Sequence, residues 1–110
     1  MAFEFNDNNF ASVVAENDVA VVDFWAEWCG PCRMVTPIVE ELSGVYEGRA
    51  VIGKMNVDHN QLVPMNFNVR NIPTILFFKN NEMVHKHVGT ISKNKMSEIV
   101  DSLLVPADAA

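Results

Sequence analysis

The stretch Val19-Ala20-Val21-Val22-Asp23-Phe24-Trp25-Ala26 is apolar on both faces of an extended chain, with Asp23 as the one exception. That pattern predicts a central strand covered by helices on both sides. Val51 to Val57 predicts a second core strand, which brings Lys54 into the interior region, and Phe3 to Phe5 a short edge strand. Thr74 to Phe78 and Met83 to Val88 read as strands joined tightly through Asn80-Asn81, a hairpin signal. Apolar residues at helical spacing recur between these runs. Phe10, Val13 and Val14 mark a first helix capped near Asn6 or Asp7. A second runs from Pro31 to about Tyr46 with Met34, Val35, Ile38, Val39 and Leu42 as its buried stripe, and Pro37 is expected to kink it because a proline cannot bond back to the carbonyl of Arg33. His59 to Phe67 predicts a helix kept short or bent by Pro64. Ser92 is placed to cap a last helix with Met96, Ile99, Val100, Leu103 and Leu104 along one side, stopped by Pro106.

Strands alternating with helices, then a hairpin, then a helix imply an α/β layered domain with a mixed sheet. The chain of 110 residues is long enough to bury a core without metal or disulfide staples, and it reads as a single domain over 1–105 with a flexible tail at 106–110. The formal net charge of −6 repels a phosphate backbone and argues against nucleic-acid binding; basic residues are scattered, and the charge reads as a solubilising surface. The N-terminus has no basic segment followed by an apolar one, and no stretch approaches transmembrane length, so the expected location is cytoplasmic, with no membrane partner.

This matters for the two cysteines, which both fall in Trp28-Cys29-Gly30-Pro31-Cys32, at the junction of the central strand and the second helix. Unpaired N–H groups and the positive dipole end at a helix start favour a thiolate. Pro31 suits the first turn, having a helical φ and no N–H to leave unpaired. Cys32 follows Cys29 by three residues on the same helical face, so the two sulfurs can meet. A bare C-x-x-C also fits half a zinc site or two unrelated buried cysteines. Zinc normally takes four ligands, however, and only His59, His85 and His87 could join the cysteines, with His85 and His87 too close for the usual H-x₃₋₅-H spacing. In a reducing compartment a lone close pair is more often catalytic than structural.

Trp28-Cys29-Gly30-Pro31-Cys32, Asp23 in the preceding strand and Ile72-Pro73-Thr74 later on make the chain, from about Phe3 to Leu104, resemble the thioredoxin family. The resemblance implies the thioredoxin fold, a central mixed five-stranded sheet flanked by four helices. It also implies a Cys29 thiol of lowered pKa in a reducing couple, for which thioredoxin is itself the standard example. By the same resemblance Pro73 is cis and faces the cysteines, and Trp28, Gly30, Pro31, Ile72, Pro73 and Gly89 form an apolar rim on which extended partner segments dock. The family further implies a monomer with no bound cofactor, disulfide-containing client proteins, and recycling by a thioredoxin reductase through which NADPH and FAD act. Family members commonly carry Asn-Gly at the hairpin, so Asn81 is a departure, tolerable because asparagine enters the left-handed region more readily than most residues.

The reaction expected is thiol–disulfide exchange. Cys29, at the helix mouth beside an exposed Trp28, is the nucleophile; Cys32, one turn in and more buried, resolves the mixed disulfide, leaving Cys29–Cys32 oxidised. Asp23, poorly solvated among Val21, Val22, Phe24 and Trp25, is the candidate proton acceptor for Cys32, set against a structural aspartate satisfied by backbone donors. Lys54 is a candidate modulator of Asp23, set against a lysine that snorkels to the surface. Two rivals are weighed: a more oxidising disulfide isomerase, against which Gly30-Pro31 between the cysteines and the lack of a leader-like N-terminus argue, and a docking module that keeps the fold without turnover or with zinc held by the cysteines.

Overall fold

The computed structural model describes residues 1–105; the tail at 106–110 and the expected stop at Pro106 lie outside the described residues. The elements are β1 (Phe3–Glu4), α1 (Phe10–Glu16), β2 (Val19–Trp25), α2 (Cys32–Val45), β3 (Val51–Asn56), α3 (Leu62–Asn66), β4 (Thr74–Lys79), β5 (Glu82–Val88) and α4 (Lys93–Leu104). The five strands form one sheet in the order β1-β3-β2-β4-β5. β1, β3 and β2 run parallel, β4 is antiparallel to β2, and β5 is antiparallel to β4. The expected mixed sheet with helices on both faces is what forms.

Each face of β2 carries its own core, because successive side chains along a strand alternate sides. Val19 and Val21 pack with Val35, Val39 and Leu42 of α2 and with Met96 and Val100 of α4. Ala20, Val22 and Phe24 pack with Phe10 and Val14 of α1 and Val63 of α3 on the other side. Asp23 has the parity of Val19 and Val21 and therefore lies on the face covered by α2. Its register neighbours are Lys54 on β3 and Ile75 on β4.

Two expectations are corrected. Met34 is 68% exposed and does not belong to the buried stripe of α2. Val35, Val39 and Leu42 define that stripe, and Met34 is rotated about 100° from Val35 around the helix. Asp7 caps a helix, but not the first one: its carboxylate accepts the N–H groups of Leu62 and Val63 (3.1 and 2.9 Å), tying the start of α3 to the N-terminal segment. Asn6 opens the turn into α1 instead. Its side-chain oxygen accepts from the N–H of Asn8 and of Asn9, while the Asn9 side-chain oxygen accepts the Asn6 N–H, a reciprocal arrangement like a capping box.

Elsewhere the capping signal at Ser92 and the hairpin signal at Asn80-Asn81 hold. The Ser92 hydroxyl accepts the Lys95 N–H at the start of α4. α2 continues through Pro37 to Val45 as one element, and α3 is a five-residue helix containing Pro64. Asn80 and Asn81 have φ of 53° and 66°, both left-handed, as a two-residue hairpin with the right-handed twist of its strands requires.

Gly53 of β3 is the point where β1 closes on the sheet. A Cβ there would collide with the Phe3 carbonyl oxygen and stand 2.8 Å from the Phe5 ring. Gly53→Ala is therefore expected to lower unfolding free energy by roughly 1–3 kcal/mol through overpacking, with loss of hydrogen-exchange protection at Phe5, whose N–H bonds Lys54 O. Denaturant unfolding with amide exchange checks both.

Candidate active site

β2 ends at Trp25, and the chain turns through buried Ala26, whose carbonyl accepts the Cys29 N–H at 3.1 Å. The helical ladder then starts at once, with Arg33 N–H bonded to Gly30 O (3.0 Å) and Met34 N–H to Pro31 O (3.1 Å). Pro31 stands just before α2 with φ −60°, already helical. Cys29 and Cys32 are joined as a disulfide with their Cα atoms 5.4 Å apart. The Cys32 backbone N–H donates to Cys29 Sγ at 3.2 Å. A first-turn amide is thus aimed at the sulfur that precedes the helix.

Cys29 is 4% and Cys32 1% exposed, so both residues of the disulfide are buried. With Ala26 they form a small apolar cluster against Trp25, Val57 and Ile72. A cavity of about 450 Å³, lined in part by Trp25, Cys32, Thr36 and Pro37, leaves a hollow on the flank of Cys32.

The other residues expected at the site are brought to the same end of the sheet. The Ile72–Pro73 bond is cis. Pro73 is buried, and its carbonyl accepts the Gly89 N–H at 2.8 Å. Gly89 makes that closure with φ +100°, in the region that favours glycine. Gly30 and Pro31 are exposed, Ile72 is half-buried, and Trp28 is 69% exposed.

One contributor escaped the sequence reading. The Trp28 indole N–H donates to Asp58 Oδ2 at 2.9 Å, and the Asp58 N–H is held by Asn56 Oδ1 at 2.9 Å. Asn56 thus forms an Asx turn at the end of β3 that presents Asp58 to the indole. The Asn-x-Asp spacing after a strand was the available signal.

Asp23 is fully buried, and neither of its carboxylate oxygens has a hydrogen-bond partner. An aspartate satisfied by backbone donors is therefore not what the fold contains. Burial pushes its carboxyl up to about 7, opposed by the smaller pull of Lys54. The Lys54 ammonium does not reach Asp23 for a hydrogen bond. It turns to Glu40 Oε2 at 3.2 Å and lies 5.3 Å from the centroid of the Trp25 ring. Glu40 is fixed from its other oxygen by the Ala2 N–H at 2.6 Å, and that bond leads the causes holding its carboxyl below the usual range.

Among the described residues no group of three or more His, Cys, Asp or Glu side chains is arranged to hold a metal ion. His85 packs on Phe77, with ring centroids 5.4 Å apart, and His87 Nε2 meets Thr90 O at 2.8 Å. No helix among the described residues is long and apolar enough to cross a membrane.

A protein-family profile described as thioredoxin matches residues 1–102. Thioredoxin 2 of Chlorobaculum tepidum is 46% identical over 100 residues, covering 90% of this chain and 92% of the relative. The thioredoxin of Haemophilus influenzae is 44% identical over 97 residues, covering 87% and 91%. Among solved structures, a point-mutant thioredoxin from Halobacterium salinarum superposes with a TM-score of 0.87 at 31% identity, covering 96% of this chain and 93% of that one.

The Asp23 carboxyl carries a stability signature. Its folded value of about 7 exceeds the ordinary 3.8, so between these the folded state holds a proton that the unfolded state has released. Stability is fully present below about pH 4, declines as pH rises, and levels off above about 7, a loss on the order of 4 kcal/mol. Asp23→Ala is expected to remove this slope and raise stability at pH 8, with the advantage shrinking toward pH 4. Denaturant unfolding across pH 4–8 reads the difference.

Proposed function

Because the chain belongs to the thioredoxin family and is a protein-disulfide oxidoreductase acting by dithiol–disulfide exchange, we propose that it serves as a general cytoplasmic reductase of protein disulfides. The observation that carries this reading is the Cys32 N–H directed at Cys29 Sγ, since a donor held on one sulfur favours that sulfur as thiolate.

In the reduced protein, Cys29 thiolate attacks one sulfur of a client disulfide. A Cys29–client bond forms, the client S–S bond breaks, and the client's other sulfur leaves as thiolate and takes a proton. Cys32 then loses its proton and attacks Cys29 Sγ; the Cys29–Cys32 bond forms and the client departs with both sulfurs reduced. Two electrons have passed from the protein to the client. Asp23 is the proton acceptor for Cys32: a buried carboxyl titrating near neutrality, on the sheet face beneath α2, is matched to a transfer at neutral pH. Lys54 modulates it from the neighbouring strand.

Trp28, Gly30, Pro31, Ile72, Pro73 and Gly89 make the docking rim. The exposed indole held by Asp58 supplies an apolar platform, and the segment before β4 supplies backbone for an extended client. The protein works as a monomer with no cofactor of its own. A thioredoxin reductase returns Cys29–Cys32 to dithiol, drawing electrons from NADPH through FAD.

Reduction of a protein disulfide with NADPH and a thioredoxin reductase tests this directly. Wild type is expected to turn over, and Cys29→Ser to fall to background. Cys32→Ser should accumulate a covalent Cys29–client adduct, visible by non-reducing electrophoresis and released by dithiothreitol. Equal client binding with both cysteines replaced, and no adduct with Cys32→Ser, would identify a docking module instead.

A further inference from the structure

Lys54 sits among three carboxylates. Its Cα is in register with Asp23 on β2 and with Glu4 on β1, so all three side chains emerge on the face covered by α2, and Glu40 reaches it from that helix. The ammonium is bonded to Glu40 at 3.2 Å, while Asp23 is left with no hydrogen bond at either oxygen. Glu40 is itself immobilised, because the Ala2 N–H holds its second oxygen at 2.6 Å. An ammonium bonded to a tethered carboxylate cannot close on the charge that Asp23 carries before a proton arrives from Cys32.

We propose that Glu40 is a positioning residue for Asp23: by gripping Lys54, it keeps the ammonium from closing on the buried carboxylate and so preserves Asp23 as a proton acceptor. This rests on the role proposed for Asp23 above. Other groups around Asp23 offer no substitute. β4 contributes Ile75, and α4 covers the same face with Met96 and Val100, all apolar; α2 begins with Cys32, and Cys29 lies just before it; β1 contributes Glu4, which is exposed; and the chain's amino terminus lies near Glu40. Lys54 is therefore the cation able to move toward Asp23, and Glu40 the group that restrains it. Both consequences of deleting the Glu40 charge have one sign: Lys54 is freed, and a nearby negative charge is lost, so Asp23 becomes easier to ionise.

The test is the Asp23 carboxyl titration, followed by carbon NMR in wild type, Glu40→Gln, Lys54→Met and the double variant, alongside the pH profile of mixed-disulfide resolution in each. Glu40→Gln is expected to lower the Asp23 midpoint by about one pH unit and Lys54→Met to raise it. In the double variant most of the Glu40 effect should vanish, because its target is gone. An Asp23 midpoint unmoved by Glu40→Gln, with only a lower melting temperature, would overturn the proposal in favour of a purely structural ion pair. A shift of full size in the Lys54→Met background would overturn it in favour of direct charge repulsion. The titration is read without turnover, so a midpoint that moves while the resolution profile stays put supports the Glu40 restraint and refutes only Asp23 as the acceptor.

Discussion

The bond from the Cys32 amide to Cys29 Sγ is the interaction on which the site depends. That sulfur is disulfide-bonded in the structure; once the pair is reduced, an amide held in this position favours the thiolate over the thiol. Fixing that amide takes most of the fold. β2 is hydrogen-bonded on both sides in the middle of the sheet, which sets where Cys29 emerges. α2 is pinned to the sheet through Val35, Val39 and Leu42, which sets where the Cys32 N–H points. Pro31, between them, brings no N–H of its own to compete and begins the turn with helical φ.

Beneath this arrangement lies a feature that works against stability. A carboxyl with no exposure and no hydrogen-bond partner is retained in the sheet next to otherwise apolar positions. Such a group costs free energy whenever it ionises, and its retention makes sense where a buried proton acceptor is needed. Lys54 stands one strand away yet directs its charge to Glu40, whose other oxygen is anchored to the N-terminal segment. Lys54 and Glu40 thus tie the strand beside Asp23 to the N-terminal segment at Ala2.

The apolar run of β2 and the helical spacing in α2 and α4 were legible in the sequence because burial there follows one strong periodicity. The same holds for the cysteine junction, where strand, proline and spacing agree. Residues read less well where partners come from far along the chain. Asp7 has the composition of a local cap, yet its carboxylate is used by α3, some 55 positions away. Met34 fits a generous helical stripe, but the sheet contacts only its narrower centre. The Asn56-x-Asp58 spacing marked a turn but not its link to Trp28, 30 positions back, and the diversion of Lys54 to Glu40 joins a strand to a helix, which no local pattern encodes.

In the proposed reaction Cys29, and not Cys32, is the ready thiolate of the reduced protein. The most direct measurement is alkylation of the fully reduced protein with iodoacetamide across pH 4–10, with each cysteine's modification rate followed by peptide mass spectrometry. Cys29 is expected to react first, with a midpoint below the ordinary thiol value of about 8.5, while Cys32 stays protected until higher pH. Preferential modification of Cys32, or a Cys29 midpoint at the ordinary value, would contradict it.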